Sequence, residues 1–172
     1  MLRSPDEEDR RLLERVIRQD ERALRTLVQR HQRLLFGFCF RVVGTREDAE
    51  EIASETFIRL WRKADAYRGD CSVKSFLCRI ALNECRDRLR RHRPTMGRLE
   101  EAEGAVNQEE LVVLCALRHL EESDRTAIVL HHLDGLSIGE AAEVLDTNVG
   151  ALKMKLMRAR AKLKAILEDC HE

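Results

Sequence analysis

The sequence predicts an all-α protein: two small helical domains joined by a flexible linker, the C-terminal one a helix-turn-helix. Three observations carry this. Apolar residues recur at spacings of three and four along most of the 172 residues. Two prolines, eight glycines and few β-branched runs leave long stretches free of helix breakers. Between Pro94 and Val106 the periodicity fails, Gly97 and Gly104 appear and acids cluster, which marks a linker. The expected boundaries are 1–93, 94–106 and 107–172.

Ser4 and Pro5 open a first helix, as cap and first-turn residue, with Leu12, Leu13, Val16 and Ile17 as its apolar stripe. Asp20 starts a second helix and Gly44 ends it. His31 lies on its stripe between Leu27 and Leu35 and reads as a satisfied packing residue. Thr45 with Asp48 caps a third helix, which carries Ala49, Ile52, Ala53, Phe57, Leu60 and Trp61 inward. Asp48, Glu50, Glu51 and Glu55 give that helix an acidic face beside large aromatics, a pattern suited to docking a protein. A loop from Tyr67 to Ser72 contains Gly69, and a fourth helix runs from about Ser72 to Arg93, stopped by Pro94. Tyr67 and Phe76 beside this loop could accommodate an unstacked base.

In the second domain, Asn107 with Glu110 caps a helix carrying Leu111, Leu114, Cys115, Leu117 and Leu120. Ser123 opens another, through Ala127 to Leu133, ended by Gly135. Ser137-Ile138-Gly139-Glu140 has the form of a capping box, and Asp146-Thr147-Asn148 interrupts the pattern before a long last helix. Leu152, Leu156, Ala159, Leu163 and Ile166 line one side of that helix. It also carries Lys153, Lys155, Arg158, Arg160, Lys162 and Lys164, with no acid until Glu168. A short helix, a tight turn and a basic second helix suit the DNA major groove.

The formal net charge is zero, which hides a segregation. Residues 74–98 carry eight Lys or Arg against Glu84 and Asp87; residues 100–124 carry eight Asp or Glu against Arg118. Two basic helices separated by acids imply two contacts with a polyanion. No apolar run approaches the ~20 residues of a membrane span, and the charged N-terminus lacks the apolar core of a signal peptide. The expectation is a cytoplasmic protein without membrane insertion, whose cysteines are reduced. Cys71, Cys78 and Cys85 are spaced by seven, about 10 Å per step along a helix, too far apart to pair or to share a zinc. Packing is their expected role. No nucleophile elbow, phosphate loop or zinc-protease motif is present, so neither enzyme, cofactor nor metal is expected.

The order of motifs resembles one family. Residues Asp48-Ala49-Glu50-Glu51-Ile52-Ala53-Ser54-Glu55-Thr56-Phe57-Ile58-Arg59-Leu60-Trp61 look like the core-polymerase-binding helix of bacterial sigma factors. Phe76 to Asn83 resemble the start of their minus-ten helix. Leu136 to Ala142 and Gly150 to Arg160 resemble their minus-thirty-five helix-turn-helix. Size and the lack of a middle domain point to the extracytoplasmic-function (group IV) class of the sigma-70 family.

The resemblance implies a protein that binds core RNA polymerase and directs it to promoter DNA, with 1–93 as sigma domain 2 and 107–172 as sigma domain 4. It implies polymerase binding by Asp48, Glu51, Glu55, Phe57 and Trp61. Minus-ten recognition falls to Tyr67, Phe76, Asn83, Arg86 and Arg90, and minus-thirty-five recognition to Asn148, Ala151, Lys153, Met154, Lys155 and Arg158. It admits an anti-sigma factor as a further partner. Glu51, Ser54, Phe76 and Asp146 stand where such factors usually carry Asp, Gln, Trp and Gly. Two rival readings remain at this point: a helix-turn-helix regulator that binds an operator, and a cysteine-based metal or redox sensor.

Overall fold

The computed structural model describes residues 5–91 and 108–169, with helices as the regular elements throughout those residues. They are α1 (Pro5–Ile17), α2 (Glu21–Val43), α3 (Arg46–Lys63), α4 (Val73–Arg91), α5 (Gln108–Arg118), α6 (Glu122–Ile128), α7 (Ile138–Val144) and α8 (Val149–Asp169). A 3-10 turn, Ala64–Ala66, follows α3, and a π turn, Val129–Leu133, follows α6. The expected linker 94–106 and the expected caps Ser4 and Asn107 lie outside the described residues.

Local chemistry sets most helix ends. Pro5 begins α1, where its missing N–H would be unpaired anyway, and Asp6, Glu7 and Glu8 face the positive end of the helix dipole. The Asp20 carboxylate accepts from the N–H groups of Arg22 and Ala23 at 2.9 and 3.2 Å. Gly44 ends α2 at φ 88°, a left-handed conformation that suits glycine, and its N–H returns to the Phe40 carbonyl. Thr45 corrects an expectation. It occupies the cap position of α3, but its hydroxyl donates to Asp48 Oδ2 at 2.8 Å and no side chain caps the backbone there.

α1 to α4 enclose one apolar interior. Leu13, Val16, Leu27, Leu35, Phe38, Leu60 and Leu77 are fully buried. Each contributes about 1.5–3 kcal/mol on leaving water. His31 is buried as expected, and its Nε2 lies 2.7 Å from Asp9 Oδ2. Arg30 Nε donates to the other oxygen of Asp9 at 2.6 Å, so this buried carboxylate is fully partnered.

α5 to α8 form the second unit. The start of α6 differs from expectation: Glu121 is the cap, and Ser123 lies within the helix. The Asp134 N–H bonds back five residues to the Val129 carbonyl, which widens the chain into the π turn before Leu136. The capping box at α7 is complete, with Ser137 and Glu140 each bonding the other's backbone N–H. Asp146 takes φ 51° in the turn before α8, the conformation expected for the position where glycine is usual. Asn148 then accepts from the Ala151 N–H at 2.8 Å.

The two units touch directly. α4 lies against α7, and α2 against α6 and the π turn. Arg41 pairs with Asp134 at 2.7 Å, and Lys74 donates to the Asp134 carbonyl. Ser72 and Ser75 donate to Glu140 Oε1 at 2.8 and 3.3 Å. Arg125 and Arg118 donate to the Val42 and Gly44 carbonyls, and Arg79 to that of Glu143.

Candidate functional site

The exposed side of α8 follows from its buried side. Leu152, Leu156 and Ala159 are sequestered, which turns Lys153, Met154 and Arg158 outward beside the exposed Asn148 and Ala151; Lys155 is half-buried. Lys162 is drawn back to Asp124 at 2.7 Å and Lys164 to Glu168 at 3.6 Å, so the unpaired cations gather toward the N-terminal half of the helix. That half leaves the capped turn at Asn148 as a free ridge of cations and methionine. Such a ridge can enter a major groove, with cations for phosphate and an apolar contact for a base edge.

On α4, Phe76, Asn83, Arg86 and Arg90 are separated by seven, three and four residues and share one face about 21 Å long. Tyr67 joins Phe76 edge-on, with ring centroids 5.2 Å apart, and its hydroxyl donates to the Cys71 carbonyl at 2.6 Å. Asn83 is exposed. Arg90 is paired with Asp87, whose carboxyl that hydrogen bond holds below its ordinary range. Arg86 reaches Glu122 of the second unit at 3.3 Å. The structure thus brings all five expected minus-ten residues to one side of the first unit, with both of the arginines among them engaged within the chain.

The acidic face of α3 is more tied down than its sequence suggests. Arg88 forks across from α4 to Asp48 at 2.8 Å and Glu51 at 2.7 Å, and the Glu51 bond holds its guanidinium the more firmly charged. Arg59 bridges Glu55 at 3.4 Å and Glu84 at 2.7 Å. Burial pushes the Glu84 carboxyl up. Phe57 is only 8% exposed and Trp61 is half-buried, so both support the helix from beneath more than they present themselves. Sequence reasoning missed the contribution of α2. Gln32, Arg33 and Phe36 line a shallow groove together with Glu50, Ala53, Ser54 and Phe57. The stacked pair Phe36 and Phe40, with Arg46 over the Phe36 ring, was a weak signal for it.

Four of the described cysteines, Cys39, Cys71, Cys78 and Cys85, are buried as packing residues, and Cys115 is half-buried. A hydrogen bond between the Cys85 and Cys39 side chains, with burial, pushes the Cys85 thiol up; burial does the same to Cys71 and Cys78. High thiol pKa values disfavour the thiolate that redox and metal chemistry use. The contact of Cys85 with Cys39 of another helix was not visible in the spacing of seven. Cys170 and His171 lie outside the described residues.

Known proteins resemble this chain over both units. A family model described as Sigma-70 region 2 matches residues 27–95, and one described as Sigma-70, region 4 matches residues 110–163. The RNA polymerase sigma-H factor of Pseudomonas aeruginosa is 31% identical, over 94% of this chain and 95% of that protein. The ECF RNA polymerase sigma-E factor of Escherichia coli strain K12 is 32% identical, over 88% and 90%. CnrH, solved in complex with the cytosolic domain of CnrY, superposes with a TM-score of 0.79 at 31% identity, covering 94% of this chain and 98% of that one. The Bartonella quintana sigma factor RpoE, solved with the anti-sigma factor NepR, shares the fold at a TM-score of 0.69 and 24% identity. The match extends through both units, which a regulator built on the helix-turn-helix alone does not require, and neither rival reading is favoured. The chain belongs to the sigma-70 family of RNA polymerase sigma factors, in its extracytoplasmic-function class, and directs transcription initiation.

Proposed function

We propose that three separate surfaces divide this work. The acidic side of α3, with the α2–α3 groove, docks on the clamp helices of the polymerase's largest subunit. The α4 face with the loop Tyr67–Ser72 takes the minus-ten element and a base held out of the stack. The Asn148–Arg158 ridge reads the minus-thirty-five element. Residues 94–106 connect the two DNA readers between domains 1–93 and 107–172. The chain catalyses no step itself and acts in the bacterial cytoplasm, where polymerase and promoter are; among the described residues no helix is long and apolar enough to cross a membrane. An anti-sigma protein is a further partner, as NepR is for its sigma factor.

The observation that carries this reading is the folding of three motifs, ordered along one chain, onto three distinct surfaces. It has a geometric consequence. By their names the two promoter elements lie ~25 base pairs apart, which at ~3.4 Å per pair is about 85 Å. In the structure Ser72 at the head of α4 is 2.8 Å from Glu140 of the helix-turn-helix. The two DNA readers must therefore part before both elements are occupied.

Transcription reconstituted with core polymerase and three variants tests the assignment. Glu55→Lys weakens holoenzyme assembly and leaves the fold intact. Arg158→Ala weakens binding to minus-thirty-five duplex and lowers its salt slope by about one. Asn83→Ala impairs permanganate-detected strand opening with duplex affinity retained. If all three lose the same step to the same degree, the three-surface reading is wrong.

A further inference from the structure

We infer that Arg10, on α1, is a positioning residue that sets the loop Tyr67–Ser72 for an unstacked promoter base. The inference rests on the minus-ten reading above. Arg10 lies outside the residues 27–95 that match the region 2 model.

The guanidinium of Arg10 uses all three of its nitrogens. Nη1 donates to the Gly69 carbonyl at 2.8 Å, Nη2 to the Cys71 carbonyl at 3.1 Å, and Nε to Asp6 Oδ2 at 2.9 Å. The other oxygen of Asp6 accepts from the Val73 N–H at 3.3 Å, the first residue of α4. One planar cation thus joins the middle of the loop, its end and the start of the helix that follows. A guanidinium can do this because its donors are fixed in a fork; an ammonium cannot hold two carbonyls in the same relation.

The Cys71 carbonyl is where the arrangement meets the aromatic pair. It accepts from Arg10 and also from the Tyr67 hydroxyl at 2.6 Å. The Tyr67 ring, edge-on to Phe76, therefore takes its position from the same atom that Arg10 fixes. Gly69 sits at φ 78°, a conformation that side-chain-bearing residues rarely adopt, and Arg10 anchors its carbonyl. Without the fork, the loop's turn and the tilt of the Tyr67 ring lose their shared anchor. A loop ordered before it meets its ligand spends less binding energy on ordering. Arg10 touches no expected base position, so its effect passes through Tyr67 and the loop.

The test uses holoenzyme on fork-junction DNA whose unpaired minus-ten position carries each of the four bases or an abasic site. The wild-type chain is expected to prefer one base. Arg10→Ala is expected to reduce that preference about tenfold, the size of a lost charge-assisted contact, with binding to the abasic fork little changed. Arg10→Lys should recover only part of it. Gly69→Ala should reduce the preference too, and the double variant should fall short of the product of the two. An unchanged base preference in Arg10→Ala overturns the inference. So does an equal loss on the abasic and base-bearing forks accompanied by a lower Tm, which marks a merely structural role. If the wild-type holoenzyme itself shows no preference at any base of the fork, the minus-ten reading fails and Arg10 with it.

Discussion

α4 has two sides that are built in opposite ways. Toward α2 and α3 it presents Leu77, Cys78, Ala81, Leu82 and Cys85, all essentially removed from solvent. Toward the second unit it presents Lys74, Arg79 and Arg86, with Ser72 just ahead of its first turn, and these make single polar contacts with carbonyls and carboxylates. The apolar side chains need no partner, and at their rim Glu84 and Arg88 are ion-paired to α3. The seam leaves more unpaired: Arg79 Nε, Arg125 Nε and Asp134 Oδ2 are buried there without a partner within the chain. Each such orphan costs about 1–3 kcal/mol, which offsets much of what the neighbouring hydrogen bonds contribute. The same helix thus belongs permanently to one interface and conditionally to another. A protein whose two DNA readers must separate has use for such a division.

The largest expected effect is on the permanent side. Leu82→Ala removes a buried side chain from the junction of α4 with its bundle and should destabilise the first unit by about 2–5 kcal/mol. Urea unfolding followed by helix signal measures it. A loss below about 1 kcal/mol would mean that this interior is as loose as the seam, and the contrast would fail.

The seam should respond in shape more than in stability. Asp134→Ala deletes the Arg41 ion pair and also one of the orphaned atoms, so its effect on unfolding should stay within about 1 kcal/mol. Small-angle scattering should nonetheless show a more extended chain, and the extension should grow with salt in the wild type as ion pairs are screened. An equally compact Asp134→Ala protein at all salt concentrations would show that the seam does not depend on this contact.

How much of this was legible in the sequence follows from the range of each interaction. The Asp20 cap, the Gly44 stop, the Ser137–Glu140 box and the positive φ of Asp146 are all decided within a few residues, and all were visible. Arg88 was read only as part of a basic run, because its partners Asp48 and Glu51 lie on another helix. The His31–Asp9 pair is separated by 22 residues, and only the burial of His31 was legible, not its partner. The start of α6 was displaced because Ser123 is the stronger cap by type, yet Glu121 takes the position. The seam was not legible at all. Asp134 sits beside Gly135 and reads as a turn residue, and nothing local shows that Arg41 and Lys74 will meet it. Site residues were legible as faces of helices, whereas which of them are held by internal partners was not.

The smallest effect is electrostatic. Burial pushes the Asp134 carboxyl above its ordinary value against the pull of Arg41 and Lys74. At Glu140, burial is outweighed by hydrogen bonds from the Ser137 N–H and from Ser72, Ser137 and Ser75, which hold the carboxyl below its ordinary value. The signs differ. Glu140 contributes stability above its unfolded value and loses it as pH falls through the lowered one. Ionising Asp134 is harder in the closed chain than in the open one, a cost that is present above its raised value and relieved as pH falls, while the Arg41 contact itself still holds the seam. Carbon-detected titration should show Asp134 displaced upward and Glu140 downward, each from its ordinary value. Arg41→Ala should move Asp134 further up. Ordinary values for both in the free chain would mean that the seam is open in solution.

The central claim is that one closed chain becomes two separated DNA readers on the promoter. Spin labels at the exposed positions Glu14 and Ala161, one in each unit, measure it. The account predicts a single distance in the free chain and a distance longer by tens of ångströms once the same labelled protein is bound to core polymerase and promoter DNA. An unchanged distance in a complex that transcribes would contradict it.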